Sequence, residues 1–109
     1  MPVVAGGGAE QWRGLVSQYG WPVDEALAVI YHTPNCLNGE STGDPNAYSA
    51  GNYGLFQINY SAHVDKLVRV TGSSDPDLLF DPAINTAVAW LVYDESGGRT
   101  WQPWGCRPY

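Results

Sequence analysis

The chain has 109 residues, 44% of them hydrophobic and 15% charged, with a formal net charge of -6. That is enough apolar content for one small folded domain and too much for a disordered chain. The acid excess argues against a phosphate-binding nucleic-acid partner, because only Arg13, Lys66, Arg69, Arg99 and Arg107 are basic and no two of them adjoin.

Met1 to Gly8 has neither a basic stretch nor an apolar core, so it reads as a flexible lead and not as a signal peptide, with a single domain over residues 9–109. No apolar run approaches the length that crosses a bilayer. From Ala9 to Tyr19, Trp12, Leu15, Val16 and Tyr19 recur at helical spacing, and Gly20 is a fitting stop. Pro22, followed by Asp24 and Glu25, suits the first turn of a second helix. Its nearly continuous apolar run, Ala26 to Tyr31, predicts the central buried helix, ended or kinked by Pro34.

From Asn35 to Asn59, Gly, Asn, Pro and Ser recur every few residues, which predicts tight turns and a small hairpin over Tyr53 to Ile58. Ser61 is a candidate cap for a third helix reaching Val70 and closed by Gly72. Asp81 followed by Pro82 opens a fourth, with Ile84, Ala87, Val88 and Leu91 on its apolar face and Gly97-Gly98 after its end. The tail Trp101-Gln102-Pro103-Trp104 is aromatic enough to fold back on the domain. These elements predict a mainly helical α+β domain with a small β or loop lobe and a groove between the two parts.

Glu40 is the candidate catalytic residue. It lies between the apolar central helix and Tyr53, Leu55 and Phe56, surroundings that keep a carboxyl protonated by penalising its ion. A protonated carboxyl beside uncharged polar groups is what cleavage of a glycosidic bond requires. Gln57, which cannot ionise and both donates and accepts, suits an N-acetyl group or a ring hydroxyl. Ser49 and Asn59 either do the same or satisfy backbone groups in turns.

Five Trp and seven Tyr exceed what a core this size calls for. Tyr53, Trp101 and Trp104 are therefore candidates for stacking on sugars, whereas Trp12, Trp21 and Trp90 sit at helical apolar stripes and read as core. Glu95 lies at a helix end without the glycine-rich partner segment and reads as solvated. His32, Cys36, His63 and Asp65 form no dense ligand motif, so neither metal nor cofactor is expected. No Gly-x-Ser-x-Gly turn points to a serine hydrolase. Cys36 and Cys106 are either two thiols or one disulfide closing a long loop.

Three blocks together resemble the lysozyme-like muramidases and soluble lytic transglycosylases, over about Trp21 to Trp104. They are Glu40 to Ser49 (Glu-Ser-x-x-x-Pro-x-Ala), Gly51 to Asn59 (Gly-x-x-Gly-Leu-Phe-Gln) and Leu78 to Asn85 (Asp-Pro-x-x-Asn). The ending Trp101-Gln102-Pro103-Trp104 is similar to that of phage-type members. The resemblance implies Glu40 as general acid, Gln57 as a substrate contact, Ser49 as the motif serine, and a groove floor along Ala87 to Tyr93. In the family the glutamate follows the apolar helix directly, whereas here His32 to Gly39 intervenes. The Ala-Tyr-Asn block of many transglycosylases is missing, and Tyr93 is the nearest counterpart of its tyrosine.

The expected activity is that of a muramidase cutting the β-1,4 bond between N-acetylmuramic acid and N-acetylglucosamine. The alternatives are a transglycosylase giving 1,6-anhydro products and a non-catalytic glycan-binding module. The expected partner is bacterial peptidoglycan, met by a monomer without nucleic acid or membrane insertion. A phage lytic protein, a virion protein or a domain of a secreted protein would each fit. Asp44, Asp75, Asp77 and Asp81 are the candidates for a second carboxylate.

Overall fold

In a computed structural model the described residues are 11–31 and 43–105. The expectations that fall on Glu40, Cys36, Cys106, the flexible lead and the 32–39 segment lie outside them.

Helix α1 covers Arg13–Val16, a single turn where the sequence pattern predicts a helix from Ala9 to Tyr19. Gly14 weakens it from within, and the Ser17 hydroxyl donates back to the Gly14 carbonyl at 2.9 Å, a local bond that competes with helix continuation. Helix α2, Val23–Tyr31, buries Ala26, Leu27, Val29 and Ile30, as its apolar run predicts. Pro22 stands just outside it, and its carbonyl accepts the Ala26 N–H at 3.0 Å.

Three two-residue strands follow: β1 (Tyr48–Ser49), β2 (Asn52–Tyr53) and β3 (Ile58–Asn59), paired antiparallel in the order β1-β2-β3. The predicted hairpin is thus β2–β3, extended by one edge strand. Helix α3, Tyr60–Thr71, is capped by Asn59, whose side chain accepts the Ala62 N–H, and not by Ser61; it closes on left-handed Gly72. A 3-10 helix, Pro76–Phe80, leads to α4, Pro82–Asp94, where the Asp81 carboxylate accepts from the Ala83 and Ile84 N–H groups.

The buried side of α4 is Asn85, Thr86, Val88, Ala89, Val92 and Tyr93, which keeps Val88 of the predicted stripe but turns away from Ile84, Ala87 and Leu91. Apolar residues lie on nearly every side of this helix, so periodicity barely marks its inner face. Trp21 is the hub of the core, with Tyr19, Phe56, Trp90, Tyr93 and Trp101 all within 6 Å between ring centroids. Trp12 and Trp90 pack partly buried against that core.

The tail does fold back, through a short 3-10 helix over Gln102–Trp104. The Trp101 indole N–H donates to Glu25 at 2.8 Å and that of Trp104 to the Phe56 carbonyl at 2.8 Å. Trp101 and Trp104 are each only 3% exposed. Trp101 is therefore a core residue and offers no open face for a sugar. A small domain has too little aliphatic side chain to fill its centre, and the indoles take that place.

Candidate active site

The site grows from the Gly51 to Asn59 segment. Ala50 and Gly51, at φ 52° and 85°, make the two-residue left-handed turn that matches strand twist in a hairpin. The register pairs Ser49 with Asn52 and Asn52 with Asn59, while Tyr48 pairs with Tyr53 and Tyr53 with Ile58. Alternation along each strand therefore sorts the segment into a polar row, Ser49-Asn52-Asn59, and an apolar row on the opposite face. The Asn59 amide donates to the Asn52 side-chain oxygen at 3.2 Å within the polar row.

The connection between β2 and β3 is pinned from below by Asn85, which is fully buried. Its oxygen accepts the Phe56 N–H at 2.8 Å, and its amide donates to the carbonyls of Tyr53 at 2.8 Å and Leu79 at 2.9 Å. The backbone at Gly54, φ +73°, passes so close that a Cβ there would lie 2.3 Å from the Leu79 carbonyl oxygen and 2.5 Å from the Asn85 amide nitrogen. Only glycine fits this position.

Gln57 closes the connection at φ 48°, a conformation uncommon outside glycine. Its amide donates to the Gly54 carbonyl at 3.0 Å and to that of Ala47 at 3.2 Å. Both amide hydrogens are thereby spent on the turn, and the carbonyl oxygen is what this side chain has left to offer a ligand. Gln57, read from the sequence as a contact to a sugar, thus also serves the backbone of this turn.

Asn52, Gln57, Ile58, Asn59, His63, Val92, Pro103 and Trp104 line a pocket of about 40 Å³. That exceeds the roughly 10–15 Å³ that one water needs, so a polar substituent of a sugar fits there. Among the described residues the lining holds three amides and no carboxylate, and burial, helped by nearby Lys66, lowers the His63 pKa below its ordinary 6.5.

The sequence-predicted site residues divide accordingly. Gln57, Asn59 and Trp104 meet at this pocket, Trp104 as a buried wall packed on Phe56. Ser49 lies one strand further out in the same polar row and is exposed. Tyr53 belongs to the opposite face, where it neighbours Tyr48, Tyr60 and Phe80, and removal from water raises its phenol pKa. Tyr93 sits among Trp21, Trp90 and Trp101 at 6% exposure, and burial raises its pKa too.

Among the second-carboxylate candidates, Asp44, Asp75 and Asp81 accept backbone N–H groups two residues on, and Asp77 is exposed in the 3-10 helix. Glu95 is exposed and held by Arg69 in a two-pronged pair at 2.6 and 3.0 Å, which lowers its pKa. Among the described residues no group of three or more His, Cys, Asp or Glu could hold a metal, and no helix is long and apolar enough to cross a membrane.

Residue type singles out neither Asn52 nor Asn85, and offers His63 only as one of four scattered metal-ligand candidates. Two of these carried a signal. Alternation from Asn59 back to Asn52 marks one strand face, and Asn85 is the last residue of the Asp-Pro-x-x-Asn block.

A small helical domain carrying a three-strand lobe, with an uncharged polar pocket beside a Gly-Leu-Phe-Gln turn, defines the lysozyme-like class of glycan-cleaving enzymes. The family model described as Transglycosylase SLT domain matches residues 12–101, and the chain belongs to that family. It is an enzyme of lytic transglycosylase or lysozyme type, acting on peptidoglycan. Comparisons with curated proteins and with solved structures give no match.

Proposed function

We propose that the protein is a lytic transglycosylase that cleaves the β-1,4 bond between N-acetylmuramic acid and N-acetylglucosamine, with Glu40 as its acid and then its base. Glu40 gives its proton to the glycosidic oxygen as the bond to C1 of the muramyl ring breaks, leaving positive charge shared between C1 and the ring oxygen. The glutamate, now a carboxylate, takes the proton of the muramyl 6-hydroxyl, whose oxygen bonds to C1. A 1,6-anhydro ring results and no water is consumed.

The sequence pattern alone gives precedence to hydrolysis. What supports the transglycosylase over it is that, among the described residues, no carboxylate lines the pocket beside Gln57. Hydrolysis with inversion needs a second carboxylate to activate water, and retention needs one as nucleophile. Three of the four aspartates considered for that task are engaged as turn or helix caps. The Gln57 carbonyl, Asn52 and Asn59 serve as neutral contacts to the glycan, with Ser49 at the rim of the same polar row. The domain over residues 9–109 works as a monomer on wall glycan, in a phage lytic or virion protein or within a secreted one.

The test is Glu40→Gln, assayed by loss of turbidity of purified cell walls and by mass spectrometry of the released muropeptides. The parent is expected to release products one water lighter than hydrolysis gives, and the variant to release at most about a thousandth as much. Unchanged lysis by the variant removes Glu40 from the mechanism. Wall binding without lysis by the parent would favour the binding-module reading.

A further inference from the structure

We infer that His63 is a specificity-determining residue of the glycan site, its neutral imidazole engaging an uncharged N–H or O–H substituent of the sugar in the pocket beside Gln57. The inference rests on the glycan-cleaving function proposed above and extends it to a residue that the motifs do not carry.

Two independent observations point to a ligand here. The first is an unpaired atom: His63 Nδ1 is buried and has no hydrogen-bond partner. A buried ring nitrogen without a protein partner is costly; a turn of the ring would bring it to the adjoining pocket, and a bound molecule that pairs it there would favour that turn. The second is position. His63 follows the Asn59 cap by one helical turn on α3, so both side chains lie over the same end of the helix and line the same pocket. The regular helical dihedrals also lapse at His63, where φ is -127° and ψ 15°.

The chemistry of the lining defines the substituent. Asn52, Gln57 and Asn59 supply neutral dipoles, whereas Ile58, Val92, Pro103 and Trp104 supply an apolar wall. Among the described residues no carboxylate lines the pocket to pair with a cation, and no Lys or Arg lines it to pair with an anion. Asp65 and Lys66 are the charged groups nearest in their effect on the ring, and they belong to its own helix. A neutral imidazole supplies one donor and one acceptor nitrogen, which matches a hydroxyl or an acetamido group equally well. The small volume admits either.

The experiment uses the intact chain with three variants: His63→Leu, which removes both nitrogens, His63→Asn, which keeps a polar atom near Nδ1, and Glu40→Gln. Binding of tri-N-acetylchitotriose is followed by tryptophan fluorescence, and cleavage of wall glycan gives KM and kcat. His63→Leu is expected to raise the chitotriose Kd and the glycan KM about tenfold, one hydrogen bond's worth, with kcat within about twofold of the parent. His63→Asn should recover most of the affinity.

Repeating the binding with the de-N-acetylated trisaccharide distinguishes the two substituents. If the Leu variant's deficit disappears, the partner is the acetamido group; if it persists, the partner is a hydroxyl. Equal Kd values for the parent and His63→Leu would overturn the inference. So would a deficit that His63→Asn does not relieve, since that marks a packing role only. If instead the parent binds chitotriose but never cleaves wall glycan, or Glu40→Gln cleaves as well as the parent, the failure belongs to the proposed reaction, and the binding series still decides the role of His63.

Discussion

Replacing Asn85 with leucine should unfasten the turn on which the site is built. The two side chains share heavy-atom count and branching, so the swap opens no cavity and mainly tests hydrogen bonding, although the leucine methyls add bulk. It removes one bond accepted from Phe56 and two donated to Tyr53 and Leu79. At about 1 kcal/mol net apiece these sum to about 3 kcal/mol, and leaving the buried Phe56 N–H unpaired brings the loss toward 5 kcal/mol. The apolar burial that leucine gains offsets about 1–2 kcal/mol of this, so the expected loss is roughly 3 kcal/mol.

Urea unfolding followed by tryptophan fluorescence reads that loss directly. Asn85→Asp is the control. It keeps the acceptor for Phe56 but sets a carboxylate against two carbonyl oxygens, and it should be at least as damaging as leucine. A loss below about 1 kcal/mol for either variant would refute the claim that Asn85 holds the 54–57 turn in place.

Gly54→Ala should cost at least about 2 kcal/mol, since its Cβ meets the Leu79 carbonyl and Asn85 together at a left-handed φ; an alanine variant as stable as the parent in the same urea assay would contradict that geometry. Stability should also depend on pH through His63. Its folded pKa lies below the ordinary 6.5, so the unfolded chain binds a proton that the native state refuses. Stability is then full above about pH 6.5 and falls as the pH drops through that value toward the folded pKa, a slope that His63→Asn should abolish when urea midpoints are measured across the range. The Arg69–Glu95 pair acts in a separate and more acidic window, because the lowered Glu95 pKa means its contribution is lost only as the pH falls below about 4.5.

Much of this architecture was legible in the residues. Asp81-Pro82 and Gly72 mark helix ends by capping chemistry that needs no tertiary partner, and the apolar run of α2 identifies the buried helix. What failed was whatever depends on a neighbour. The inner side of α4 is set by Asn85, a polar residue that earns burial through bonds to Phe56, Tyr53 and Leu79, all distant in sequence. Surplus aromatics suggest sugar platforms, yet Trp101 closes the core because its indole finds Glu25 across 76 residues of chain.

The candidate site was half readable. The motif blocks marked Gln57 and Asn59, and the structure brings both to one pocket, but each spends amide groups on a turn or a helix cap. Their service to the fold could not be seen without the backbone carbonyls and N–H groups they meet. Tyr53 went to the far face because the strand register, fixed by the two-residue turn at Ala50-Gly51, alternates side chains between faces.

Digestion of isolated wall glycan in heavy-oxygen water tests the central chemistry most directly. If Glu40 works without a second carboxylate and the muramyl 6-hydroxyl is the nucleophile, the new muramyl ends are anhydro sugars containing no solvent oxygen. Solvent-derived oxygen at those ends, one atom per cut, would mean that water is the nucleophile and that the enzyme is a hydrolase.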